Sequence, residues 1–105
     1  MSQEDIKVGL TRQALALCNE RLVSGQSPAA EPMMHSIQAQ LEWLIDFYEG
    51  RSTERNKLHT LTFGHFAARE IADADTEFTN ALHRAYYAAN RTAMGLKLDL
   101  ATLGL

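Results

Sequence analysis

Histidines are the first residues to weigh for chemistry, and two of the four lie in one short stretch, "LHTLTFGHFAARE" at residues 58–70. There His59, His65 and Glu70 could ligate a metal or exchange protons. Their spacing speaks against it. Six residues separate the two histidines, about 120° around a helix, and Glu70 is five further on, also off-face. Helical metal pairs want i and i+4, as in H-E-x-x-H, and no such pair occurs. His35 and His83 stand alone. His65 shares a face with Arg69, and His83 with Tyr87, arrangements that suit surface hydrogen bonds. No G-x-S-x-G, glycine-rich phosphate loop or acid–base carboxylate pair is present.

The single cysteine, Cys18, excludes an intrachain disulfide and a multi-cysteine zinc site. It lies in the apolar "ALALCNERL" without a base in register, so a small buried hydrophobe is the expected role. Catalytic residues, metal and cofactor are therefore all expected to be absent.

A different constellation suits binding. Between Pro32 and Gly50, Met34, Ile37, Leu41, Leu44 and Tyr48 follow steps of three and four, which define one apolar helix face. With Leu41 at the centre of that face, Trp43 and Phe47 fall about 200° and 240° around, nearly opposite. Glu42, Asp46 and Glu49 line the sector between, at about 80–140°. Two large aromatics beside negative charge have the composition of a binding hot spot. A second packing surface against a neighbouring helix would also account for the aromatics. The candidate partner-binding residues are Glu42, Trp43, Asp46, Phe47 and Glu49, facing a basic protein surface or cationic cleft.

The scaffold that must hold this helix is readable. The chain has 105 residues, 46% hydrophobic and 22% charged, which fits one folded domain with its own core. Ile6, Leu10, Ala14 and Leu17 predict a first helix from about Glu4 to Val23, with Leu15, Cys18 and Leu22 alongside and Gly25 after its end. "SGQSPAAEP" is a loop. After Gly50, Ser52 or Thr53 is the expected N-cap of a third helix running to about Ala72. Asp75 is the expected cap of a fourth, with Glu77 in its first turn and Gly95 as its stop. Short connections between them predict an all-α, antiparallel four-helix bundle spanning residues 1–105. The tail "LKLDLATLGL" alternates with a strand period and is expected to lie extended on the bundle, with strand addition to a partner as the alternative.

A net charge of −3 with dispersed Lys and Arg gives no footprint for nucleic acid. "MSQEDIKVGL" has no signal-peptide pattern, and no apolar run approaches a membrane span, so a cytoplasmic location is expected.

Residues 58–96 carry a resemblance. Leu58 and Leu61, then Thr62, Gly64, Ala67 and Glu70, then an acidic turn with Asp73 and Asp75, then Leu82, Ala85 and Tyr86, resemble type VI secretion immunity proteins that neutralise an NAD(P)-hydrolysing effector. The resemblance implies a helical antidote without enzymatic activity; separately, a monomer or weak homo-oligomer is expected. It would bind the toxin domain of its cognate effector and occlude the active site. Immunity contact surfaces diverge with their toxins, so no contact residue is carried over, and "LTFGHFAARE" is expected to be scaffold. A helical adaptor or secretion chaperone is the alternative, and a small metal-binding bundle using His59, His65 and Glu70 a more distant one.

Overall fold

The computed structural model describes residues 2–105 and is all-helical, with no strand among them. Helix α1 spans Gln3–Ser24, α2 Glu31–Tyr48, α3 Phe63–Phe66 and α4 Thr76–Ala93. A 3-10 segment, Arg55–Thr60, precedes α3, and a π-helical turn, Ala67–Ile71, continues it. Helix α1 packs against both α2 and α4, and α3 closes the bundle between α2 and α4. No described helix is long and apolar enough to cross a membrane.

The second helix matches its pattern closely. Met34, Ile37, Leu41 and Leu44 are fully buried, Tyr48 is half-buried, and Pro32 sits in the first turn, where its missing N–H costs nothing. The first helix is rotated from expectation. Its buried line is Lys7, Thr11, Ala14 and Cys18, while Ile6 and Leu10 flank it and receive the tail. Lys7 tolerates this because its ammonium reaches Glu4 at 3.0 Å and lies over the Tyr48 ring, while its stem fills apolar space. Cys18 is buried as expected. Its thiol is pushed up to about 11 by burial, helped by the charge of Glu42, so it is an inert core group.

The third helix is not the single element expected from Ser52 or Thr53 to Ala72, and neither residue caps a helix. Burial requirements explain the break. On one continuous helix Leu58 and Leu61 would point nearly opposite to Phe63, Ala67 and Ile71, at about 100° per residue. All five are buried, so the chain must turn between the two sets. It does so at Leu61–Thr62. Leu61 takes an extended conformation (φ −69°, ψ 136°) before α3 begins.

The fourth helix starts as predicted, and its cap does more than end a helix. The Asp75 carboxylate accepts from the Phe78 N–H at 3.1 Å and receives Arg21 through two bonds, 2.8 and 3.3 Å. Arg21 also reaches Glu77 at 2.9 Å and contacts Glu20. The end of α1 is thereby locked to the start of α4, with Arg21 and Asp75 side chains only 13% and 14% exposed. The Arg21 guanidinium, seconded by the Phe78 N–H, holds the Asp75 carboxyl below its usual range. Asp75→Ala is expected to cost about 2 kcal/mol, from a lost cap and an orphaned half-buried cation. The depressed folded value sets the pH sense. Stabilisation from Asp75 is present above the unfolded carboxyl value near 4 and is lost as pH falls through the lower folded one. Acid unfolding of Asp75→Asn should lack that component, as urea titrations across pH 2–6 would show.

The tail docks on the bundle, as expected, but is extended only over residues 96–99. Residues 100–104 then curl into a turn that brings Leu103 beside Leu98. Both leucines are buried against Ala88, with Ile6, Leu10 and Tyr87 around them. The Leu98 N–H donates to Gln3 at 2.8 Å and the Asp99 N–H to the Tyr87 hydroxyl at 3.0 Å. Two leucines then face inward five residues apart, which strict alternation could not achieve.

Candidate partner-binding face

Trp43 and Phe47 are one turn apart on α2 and stack, with centroids 5.4 Å apart and planes inclined by 25°. Both are half-buried and pack against the core. Phe47 also meets Tyr48 edge-on at 6.2 Å. The 3-10 segment runs alongside and places Lys57 over the Trp43 ring, 5.2 Å from its centroid. The stack is thus held in place before any partner arrives, which lowers the ordering cost of using it as an anchor.

The three carboxylates lie on the side of α2 nearer α1, as their helical angles require. Two are already engaged. Arg51 reaches Asp46 at 2.6 Å and Glu49 at 2.8 Å, and Arg12 of α1 reaches Glu49 at 2.8 Å. Arg51, then Arg12, holds the Glu49 carboxyl below its ordinary value. Glu42 is exposed and makes no ion pair among the described residues. The negative strip is therefore a short salt-bridge network with one open carboxylate. The five residues do share one region of the surface, with the aromatics on its 3-10 side and the acids on its α1 side. Lys57 and Arg51 complete it and were not singled out from the sequence. A lysine beyond a helix end has no periodic relation to the helix it returns to.

The histidine stretch is scaffold in large part. Gly64 is buried beneath the Tyr86 ring, and a Cβ there would lie 2.3 Å from Tyr86 Cδ2. Phe63 meets the same ring edge-on at 5.1 Å. The Tyr86 hydroxyl donates to the Leu61 carbonyl at 3.2 Å and lies 3.3 Å from His65 Nε2. With its one proton on Leu61, the hydroxyl can only accept from His65, which selects the Nε2–H tautomer. Thr62 and the start of α3 are fixed from α2: the Gln40 side-chain oxygen accepts from the Thr62 and Phe63 N–H groups at 2.7 and 3.0 Å. Its amide donates to Thr62 Oγ1 at 3.0 Å. Gln40 therefore caps α3 from across the interface, satisfying donors that Thr62 leaves open. His65, Arg69 and Glu70 line an open groove with Met33, Thr62 and Phe66, while His59 lies on the 3-10 segment away from it. Among the described residues no group of three or more His, Cys, Asp or Glu side chains could hold a metal.

Comparison with known proteins agrees with this scaffold. The Tsi6 family profile matches residues 7–91. Immune protein Tsi6 of Pseudomonas aeruginosa is 40% identical over 88 residues, covering 84% of this chain and 90% of its own. In the solved structure of Tse6 in complex with Tsi6, the matching chain superposes with a TM-score of 0.79 at 36% identity, covering 89% of this chain and 96% of that one. Tsi6 from P. aeruginosa solved separately gives 0.75 at 34% identity, covering 89% of this chain and 94% of its own. The matched span takes in α2, the 3-10 segment, α3 and α4 together, so the whole framework around the aromatic pair is shared. The chain belongs to the Tsi6 family.

Proposed function

We infer that this protein is an immunity protein that binds the toxin domain of a cognate secreted effector and blocks its activity. The observation that carries this is the 40% identity to Immune protein Tsi6 across nearly the full chain. It is joined by the fold shared with Tsi6 in its complex with Tse6. The sequence pattern of residues 58–96 adds the class of effector: a type VI secretion toxin that hydrolyses NAD(P). The protein acts by contact and not by catalysis, consistent with its family.

The contact is assigned to the α2 face. Trp43 and Phe47 anchor the toxin, and Glu42, with Asp46 and Glu49 beside it, meets basic residues at the edge. What supports this is the stacked, half-exposed geometry, which offers rigid apolar area with little rotamer entropy left to lose. Asp46 and Glu49 would exchange part of their pairing with Arg51 and Arg12 for partner cations, so Glu42 is the carboxylate with most to gain. Inhibition is by occlusion of the toxin's active site.

Co-expression with the toxin domain of the cognate effector tests the reading. Cells carrying both proteins should keep their NAD and survive, and cells carrying the toxin domain alone should not. Depletion of NAD despite soluble immunity protein would refute it.

A further inference from the structure

The electrostatics beyond Phe47 differ from those of the acidic strip. At the junction of α1, α2 and the end of α4 lies a cavity of about 410 Å³ with Phe47 in its wall. Lys7, Arg55 and Lys97 line it against the single carboxylate of Glu4. Lys57, over Trp43, extends this positive character along the aromatic stack. The aromatic pair is therefore bordered by cations on its 3-10 side, while the carboxylates on its other side are largely neutralised internally.

These cations have capacity left. Arg55 uses one Nη2 bond, to the Thr92 carbonyl at the end of α4, and its other N–H groups have no partner among the described residues. The Lys97 ammonium makes no ion pair or hydrogen bond among them; only its backbone carbonyl is engaged, by Arg91 at 2.7 Å. Lys7 already holds a carboxylate, Glu4 at 3.0 Å, on a side chain 60% exposed that is free to swing into solvent. The cavity lining thus includes one carboxylate, paired with Lys7, and two cations without one. Exposed Leu96 lies at its rim.

We propose that this cavity, resting on the function inferred above, receives an acidic side chain from a surface loop of the effector toxin domain, seated between Lys97 and Arg55 while a neighbouring apolar residue packs on Phe47. The partner surface is then bipolar, basic toward Glu42 and acidic toward Lys97, which fixes the docking orientation. Charge complementarity of this kind acts through specificity and association rate as well as affinity.

Lys97→Glu breaks no side-chain hydrogen bond or ion pair among the described residues and is the first test. Affinity for the purified, catalytically inactivated toxin domain of the cognate effector should fall at least about tenfold at low salt, with the gap narrowing at high salt. Arg55→Gln should weaken binding in the same sense, and replacing the seated toxin carboxylate by lysine should restore binding to Lys97→Glu. If the wild type binds and Trp43→Ala weakens it, but Lys97→Glu and Arg55→Gln both bind within about twofold of wild type, the cavity is not a contact and the α2 interface stands without it. If the wild type does not bind the toxin domain, the functional reading itself fails and this inference with it.

Discussion

Trp43→Ala is expected to weaken binding of the toxin domain by about thirtyfold, the ~2 kcal/mol typical of a truncated aromatic hot spot. Phe47→Ala should have an effect of similar size. The double variant should lose less than the product of the two, because each ring is the other's support at 5.4 Å and the first truncation already loosens the second. Both side chains also rest on the core, so each single variant gives up some stability, and helical circular dichroism must show the folded state at the assay temperature. Calorimetric titration then separates the cases. Unchanged affinity in a folded Trp43→Ala protein would remove the α2 face from the interface. Lys57→Ala sharpens the test, since it frees the Trp43 ring without removing it. A loss about a tenth as large would indicate that pre-ordering of the stack contributes and that the ring itself dominates.

How far the sequence could go depended on whether one helix sufficed. Helix α2 was legible nearly residue by residue, since one apolar stripe meets one core and the 3.6 period decides everything. Asp75 was legible for the same reason, as a cap is a local interaction. Its second role, receiving Arg21 from 54 positions earlier, was not, because nothing local couples the two. The break at Leu61–Thr62 was in fact written in the angular conflict between Leu58–Leu61 and Phe63–Ala67–Ile71. Helix propensity alone conceals it, since every residue there tolerates a helix. Gln40 shows the opposite limit: a glutamine on the flank of α2 reads as surface, yet three of its bonds decide where α3 begins. For the candidate binding face, helical angles placed Trp43 and Phe47 together correctly. They could not show that Asp46 and Glu49 are held by Arg51 and Arg12, nor that Lys57 and Arg55 arrive beside the aromatics, because those cations come from outside the helix.

Gly64→Ala is expected to destabilise the fold by about 3 kcal/mol, although alanine is the better helix former by 0.5–1 kcal/mol. The added Cβ would lie 2.3, 2.4 and 2.7 Å from Tyr86 Cδ2, Cγ and Cε2. The conflict includes Cγ, the root of the ring, so rotation about the ring axis cannot relieve it. The ring is also pinned at its far end by the Leu61 carbonyl and His65, and at its edge by Phe63. Either α3 must lift from α4 or Tyr86 must leave its rotamer and abandon its hydroxyl bonds. For a domain of this size the melting temperature should drop by more than about 10 °C, and Gly64→Val should lose more. A double-mutant cycle with Tyr86→Leu distinguishes this cause from an intrinsic helix effect. If contact with the ring is responsible, Gly64→Ala should cost far less in the Tyr86→Leu background, a coupling of 1 kcal/mol or more. Equal costs in both backgrounds would show that Gly64 is required by its own backbone and not by the closeness of α4. The same comparison bears on function. Gly64 and Tyr86 set the distance at which α3, and with it the Gln40-held start of that helix, lies against α4. A variant that unfolds here loses toxin binding without touching the interface. Stability and affinity measured together keep the two effects apart.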